Sequence, residues 1–542
     1  MPPPFVLQDL ANYRNAIGES LDKLPKIRKG KWHYRYISNP EVIIFPRPQW
    51  SGRQFSIVNP IAYFYLSREL AENWVQIKKH LKKSSCSVSK LVFDWDGDRT
   101  FLRPNFAARS TRIRDLSLEY PFLLHSDVAR YYPSIYTHSI PWALHTKVTA
   151  KADRSFTRLG NRLDTLVRNG QDGQTIGIPV GPDTSRVLAE ILGVAIDDEI
   201  CKANKRLKRS MIRFVDDVTA GTQTIEEAER IRNSIRKVLQ GFQLDLNEEK
   251  TETKRIASLD YGSWRHELRA RLPQSRDSLA KFELFFDAIF SLAQTWPKAN
   301  VPTYALKLAR QIFIAANNWE AVEDFLFIIY RSYPITLPII VEILANRNIE
   351  KLDVDLKKTE SFIRGSMGVL ADNNRLGELA WMLFLAKALR VQIRASDLKI
   401  LTVTNSSVCA LLLCDLEARG LIIGMLDKSY WNSSLSDSGL QSEMWLYSYE
   451  ASRKGWTGQS DAFLSLNPQF RELYKRQVSF YNENRNFIRA KKKIELESRT
   501  RRKERIAFSQ DLDEATLDLV LDFEEMQNDA YLSIAPDPSD YF

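Results

Sequence analysis

The sequence predicts an α+β unit followed by an all-helical one, and three observations lead there. Short β-rich runs mix with helical stretches from Trp32 to about Leu259. Beyond about Ser275 the apolar residues instead recur at helical spacing, as in Phe282, Phe285, Phe286 and Ile289 or Val322, Phe325, Leu326 and Ile329. A chain of 542 residues, 44% hydrophobic and 27% charged, has ordinary globular composition and room for about three folded units, which excludes disorder throughout.

The elements follow in chain order. Residues 1–30 open with MPPPFVLQDL, which lacks a basic region and a long apolar stretch, and no apolar run in the chain approaches the ~18 residues of a membrane helix. A soluble, cytoplasmic protein is expected. Residues 31–265 form the mixed unit. VIIF at 42–45 is extended and ends at a Pro-broken turn, and LVFDW at 91–95 with RTFL at 99–102 reads as a hairpin. Asp94, Asp96 and Asp98 suggest calcium, but the glycine of DWDGDR is misplaced for a calcium loop and the later Glu is missing, so a plain turn is expected. Residues 275–480 are helical and punctuated by Pro297, Pro302, Pro334 and Pro338. They form either a stacked, HEAT-like array or a compact all-helical domain, with their aromatic stripes in the core.

Cys86, Cys201, Cys409 and Cys414 are too few and scattered for a disulfide framework, and with no histidine after His266 a His/Cys zinc site is not expected in the second half. Charge divides the end of the chain, 481–542. Residues 485–505 carry net +7 and residues 506–542 carry ten acids and no base, leaving +13 on residues 1–484. A polyanion is therefore expected on the body. The basic run is either a further nucleic-acid contact or a solvated helix face.

Three segments carry chemistry. RFVDDV at 213–218 reads as a hairpin with Asp216 and Asp217 at its tip; adjacent carboxylates repel, and burying them calls for a cation. Asp197 and Asp198 are read as an ordinary surface pair. The apolar run Phe122, Leu123, Leu124 ends at Asp127, followed by Val128, Tyr131 and Tyr132. A strand delivering one carboxylate beside a hairpin delivering two suits a pair of Mg²⁺ ions about 4 Å apart, the arrangement for in-line nucleotidyl transfer. The third segment is GQTIGIPVGPDTSRVLAEI, from Gly173.

Together these resemble the palm of reverse transcriptases, with the A motif at Asp127, the B motif around Gly181 and the C motif at 214–217. Separations of 54 residues from Asp127 to Gly181 and 35 on to Asp216 fit the order. The resemblance implies an α+β reverse-transcriptase palm and fingers, with catalytic acids Asp127, Asp216 and Asp217. It implies two Mg²⁺ or Mn²⁺ ions held by these acids and the Val128 carbonyl, dNTP substrates, and Tyr132 as the aromatic gate against a ribose 2′-hydroxyl. The alternative is that Tyr131 and Tyr132 merely pack beside the strand. In GFQLDLNEEKTE, Lys250 either neutralises departing pyrophosphate or is solvated. Arg109 and Arg112, in the fingers position, either clamp the triphosphate or are surface charge.

YTHSIPWALH after the A motif and GIPVGPDTSR narrow the resemblance to the abortive-infection (Abi) reverse transcriptases of bacteria and prophages. These imply a HEAT-like second domain, homo-oligomers, antiphage defence, and untemplated synthesis of single-stranded DNA attached to a tyrosine of the protein. Val180 stands where template-copying enzymes place glutamine, and no small helical thumb is evident after Lys250. Tyr13, Tyr34 and Tyr36 are candidate primers, more readily structural. An RNA-templated reverse transcriptase and a non-catalytic nucleic-acid sensor or scaffold stand as rivals.

Overall fold

Where apolar residues alternate, the chain pairs into short strands; where they recur every three or four residues it coils, and the coils dominate. The computed structural model describes residues 1–24, 36–47, 52–94, 99–259 and 263–487. Tyr34, Asp96, Asp98, most of the basic run and the whole acidic tail lie outside the described residues. The molecule is helix-rich α+β with small sheets.

Strands β1 (Glu41–Pro46) and β2 (Gly52–Ile57) make an antiparallel hairpin. The larger sheet contains β3 (Phe122–Ser126), β4 (Met211–Phe214), β5 (Asp217–Thr222) and β6 (Glu252–Arg255), in the order β4-β5-β3-β6 with antiparallel neighbours. Alternation gives it two covered faces. Leu123 and Ile212 pack with Leu116 of the helix Phe106–Glu119. Leu124, Met211, Val218 and Ala220 join the main core with the helices Asp183–Ala203 and Ile225–Gly241. The hairpin expected at 91–102 is present as an antiparallel bridge between Phe93 and Phe101.

In the second half the helices Val301–Ile314, Leu337–Ile349, Leu376–Leu389, Ser407–Ala418 and Trp445–Arg453 pack successively in a row, with Trp319–Ser332 and Leu356–Asp372 alongside. Leu376–Leu389 is buried almost all round, as its nearly unbroken apolar sequence requires. The sequence gives no strand signal here, yet β7 (Ile393–Arg394) and β8 (Ile422–Ile423) pair in parallel. Two residues are too few to show alternation. All four cysteines are free and buried. No described helix is long and apolar enough to cross a membrane.

Long-range hydrogen bonds tie these parts together. The Val6 N–H donates to the Phe480 carbonyl at 3.0 Å and the Asn482 N–H to that of Pro4 at 2.8 Å. Hairpin β1–β2 sits on the helical row: Glu41 Oε1 accepts from Ser406 Oγ at 2.8 Å and from the Val408 N–H at 3.2 Å. Gly377 lies so close that a Cβ there would be 2.5 Å from the Ile44 carbonyl oxygen.

Candidate active site

Register brings the acids together. Ser126 of β3 pairs with Val218 of β5, so Asp127, one residue on, faces Asp217. Phe214 pairs with Asp217 across a two-residue turn of Val215 and Asp216. Asp127 is buried, and its carboxyl is within hydrogen-bonding reach of that of Asp217. Burial, then repulsion from Asp217 and Asp127, pushes Asp216 up to about 7; burial also pushes Asp217 up to about 6, with Asp127 adding and Arg109 opposing.

Two side-chain cations partly offset this charge. Lys250 Nζ lies 3.1 Å from Asp127 Oδ2 and Arg109 Nη2 lies 3.3 Å from Asp217 Oδ2. Asn247 Nδ2 donates to Asp127 Oδ2 at 2.8 Å, a partner the sequence reading missed. Backbone bonds from Asn247 to Asp127 and from Ala129 to Asp245 bracket Val128 and use neither its N–H nor its C=O. Among the described residues, no group of three His, Cys, Asp or Glu side chains is gathered into a ready cation cage. The candidate ligand atoms at this spot are nonetheless all oxygen, suited to hard cations, and burial first, then the neighbouring carboxylates, raises the affinity of Asp216 and Asp217 for protons.

The turn that carries Asp216 is strained. Val215 has φ +59°, a left-handed conformation that costs a β-branched residue about 1–3 kcal/mol. Both its peptide groups are held: its N–H donates to Ser89 Oγ at 2.9 Å and its carbonyl accepts from Arg213 Nη1 at 2.8 Å. Arg213 is buried and also forks onto Glu190 (3.1 and 2.9 Å) and onto Asp197 (2.9 and 3.0 Å). This corrects the reading of Asp197 as a surface residue. Asp197 is 1% exposed, because it neutralises a buried arginine whose position in an otherwise apolar strand was the available clue.

The remaining candidates separate. Tyr131 is buried and its hydroxyl donates to the Ala189 carbonyl at 2.8 Å, so it is the packed member of the pair. Tyr132 is half-buried, and burial followed by the negative charge of Asp216 raises its pKa. The Val180 carbonyl accepts from the Ser56 N–H at 2.9 Å, placing the B segment against β2; Gly181, at φ +125°, is a position for which glycine is suited. Arg112 pairs with Asp115 at 3.2 Å on its own exposed helix face. His125 bonds Thr219 Oγ1 at 3.0 Å and burial, then Arg109, pulls it down to about 4; His138 pairs with Asp164 at 2.7 Å. Tyr13 is 37% exposed, whereas the Tyr36 hydroxyl donates to Asn59 Oδ1 at 3.3 Å.

Two further arginines were not singled out by sequence. Arg53 of β2 feels the charges of Asp216 and Tyr132, and Arg186 those of Asp183 and Tyr132. The Nη2 of Arg186 is buried without a hydrogen-bond partner among the described residues. Arg53 also lines a cavity of about 1830 Å³ between β2, Val180 and Gly181, the N-terminal helices and the helical row. Among the described residues eleven Lys or Arg line it against four Asp or Glu, so it favours a polyanion.

No family model and no curated protein matches the chain. Solved structures similar to it in part include apo telomerase from Candida tropicalis, at 12% identity and TM-score 0.33, covering 75% of this chain and 72% of that one. Telomerase from Candida albicans with a telomeric RNA fragment matches at 12% identity and TM-score 0.29, covering 68% of each chain.

Proposed function

We propose that the chain is a divalent-metal-dependent polymerase of deoxynucleotides, of the reverse-transcriptase kind, in which the four-stranded sheet serves as palm and hairpin β1–β2 as part of the fingers. The observation that carries this reading is the register that sets Asp127 opposite Asp217 with Asp216 beside them. Asp127, Asp216, Asp217 and the Val128 carbonyl are the proposed holders of two Mg²⁺ or Mn²⁺ ions. Bound there, such ions lower the pKa of an attacking hydroxyl and neutralise the triphosphate and leaving pyrophosphate.

The chain's own residues do the rest. Tyr132 closes the pocket to a 2′-hydroxyl. Arg53 and Arg186 both lie within electrostatic range of Tyr132 and supply positive charge for phosphate oxygens, a role that suits them better than the surface-paired Arg112. Lys250 and Arg109, now paired with the acids, are positioned to exchange those contacts for phosphate. A growing single strand passes into the basic cavity, whose far wall is the helical row.

We further propose membership of the abortive-infection group, with a HEAT-like helical domain, assembly into homo-oligomers, protein-primed synthesis without a template, and a role in antiphage defence. Support comes from the GIPVGPDTSR segment with its Val180, and from the chain's path after β6, where the helices Ser263–Ala270 and Leu279–Thr295 lead directly into the helical row. Of the tyrosines considered as primers, Tyr13 is the more accessible and Tyr36 is engaged with Asn59.

The test is to supply purified protein with dNTPs and Mg²⁺ or Mn²⁺, without nucleic acid, and follow it on a denaturing gel. The expected outcome is a nuclease-sensitive upward shift that Asp216→Ala abolishes. Extension only with added primer and RNA would replace this reading by a templated one, and no incorporation under any condition would leave a nucleic-acid-binding scaffold.

A further inference from the structure

The turn bearing Asp216 is not held by its own strands alone. Val215 is the sole residue between Phe214 of β4 and Asp216, and both peptide groups of its left-handed backbone are held by side chains, one from outside the hairpin and one from β4 itself. Ser89 Oγ fixes the N–H, and Arg213 Nη1 fixes the carbonyl. Arg213 is in turn held by Glu190 and Asp197 on the helix Asp183–Ala203. Those acids are bonded by Ser87 Oγ to Glu190 at 2.7 Å and by Ser84 Oγ to Asp197 at 2.6 Å, serines of the same segment that supplies Ser89. That segment runs along β4, with the Arg213 N–H donating to the Cys86 carbonyl at 2.8 Å and the Val88 N–H to that of Arg213 at 2.9 Å.

Space is reserved for this arrangement. A Cβ at Gly193 would lie 2.6 Å from the Arg213 Cζ, so the glycine admits the guanidinium between helix and strand. Asp127 and Asp216 line the same narrow void, of about 10 Å³, as Gly193, Arg213 and Val215. The network thus backs directly onto the acids. A buried arginine with two buried acids is a costly way to fill a core, where apolar residues of similar volume serve stability as well or better. Its geometry is better suited to specifying one backbone conformation at the turn.

We propose that Arg213 and Ser89 are positioning residues: they clamp the 214–216 peptides in the conformation that presents Asp216 to the cation, and Glu190, Asp197 and Gly193 hold the clamp. This rests on the polymerase reading of the same acids. The clamp touches neither substrate nor cation, so its loss changes how well the metal is held and how fast the reaction runs, while nucleotide affinity is retained.

The test compares full-length native protein with Ser89→Ala, Ser89→Thr and Arg213→Lys. Mn²⁺ binding is followed by paramagnetic resonance and dNTP incorporation by steady-state kinetics across a Mn²⁺ series. Loss of an outer partner typically weakens a metal site about 10–100-fold. Ser89→Ala and Arg213→Lys are expected to raise the Mn²⁺ half-saturation about tenfold or more and to lower kcat. KM for dNTP should stay within about twofold, excess Mn²⁺ should recover part of the rate, and Ser89→Thr should resemble the native protein. If Ser89→Ala leaves Mn²⁺ half-saturation unchanged, the proposal is overturned, whether or not kcat or melting temperature falls. Should Arg213→Lys fail to fold, Ser89→Ala decides alone. A native protein that neither binds Mn²⁺ nor incorporates dNTPs would instead overturn the polymerase reading, which keeps the two failures distinct.

Discussion

Tyr132 and Tyr131 are adjacent in sequence and alike in chemistry, but their surroundings assign them different work. Tyr131 is sealed against the helix Asp183–Ala203, while Tyr132 remains half-buried near the charge of Asp216. On the proposed reading its ring is the obstacle to a 2′-hydroxyl. Tyr132→Ala should admit ribonucleotides, lowering the preference for dNTP over rNTP, measured as the ratio of kcat/KM values, by about 10–200-fold, the range for one small group in a fitted pocket. Unchanged discrimination would remove Tyr132 from the gate. Tyr132→Phe should keep it, since the ring and not the hydroxyl supplies the bulk. From sequence, the pair was visible but its division of labour was not, because the deciding neighbour, Ala189, is 58 residues from Tyr131. Asp197 shows the same limit: its partner Arg213 lies across the packing of helix on sheet, and an Asp-Asp pair within a helix carries no local mark of burial.

Elements transmit the helical row's position to the site, chiefly through hairpin β1–β2. Its β1 strand rests on Gly377, and its β2 strand donates to the Val180 carbonyl and carries Arg53. Gly377→Val places a branched side chain where even a Cβ is 2.5 Å from the Ile44 oxygen and 2.8 Å from the Phe45 ring. Overpacking of this kind costs about 1–3 kcal/mol. A lowered melting temperature together with a raised KM for dNTP is expected, and a fall in stability with KM unmoved would uncouple the hairpin from the pocket. Glu41 offers a pH probe of the same junction. Burial pushes it up to about 7 from 4.5, so the folded state binds its proton more tightly than the unfolded state does. Its contribution is therefore greatest at low pH and declines as pH rises from about 4.5 to 7, by an amount of order 3 kcal/mol. Glu41→Gln keeps an acceptor for Ser406 and Val408 without the proton, so urea unfolding at pH 5 and pH 7.5 should show a smaller loss of stability in the variant. Equal losses in both would place Glu41's carboxyl outside the pH response. The strand VIIF was legible from its β-branched run, but its attachment to helices more than 300 residues away was not.

At the scale of the whole molecule, charge and periodicity were the legible quantities. The change to helical spacing near residue 275 was plain because long amphipathic helices repeat their signal many times, and β7 and β8 were hidden because two-residue strands repeat none. The excess of positive charge on residues 1–484 was likewise a sum, silent on location. The fold gathers part of it around one cavity, from Arg14 near the N-terminus to Lys298 at the start of the helical row. Both are exposed, and the Arg14 guanidinium also donates to the Ala11 carbonyl at 3.2 Å. Single-stranded nucleic acid held there should release counterions in proportion to the phosphates contacted, with a slope of about −0.7 in log K against log salt for each. Arg14→Ala combined with Lys298→Ala should therefore flatten the slope for oligo(dT) binding by about 1 to 1.5 and weaken binding at low salt more than at high. Truncation after residue 487 removes nearly all of the +7 run and the acidic tail together, and supplies the contrast. If truncation flattens the slope while the double variant does not, the strand lies on the C-terminal segment. If the double variant alone flattens it, the strand lies in the cavity, beside the acids that are proposed to extend it.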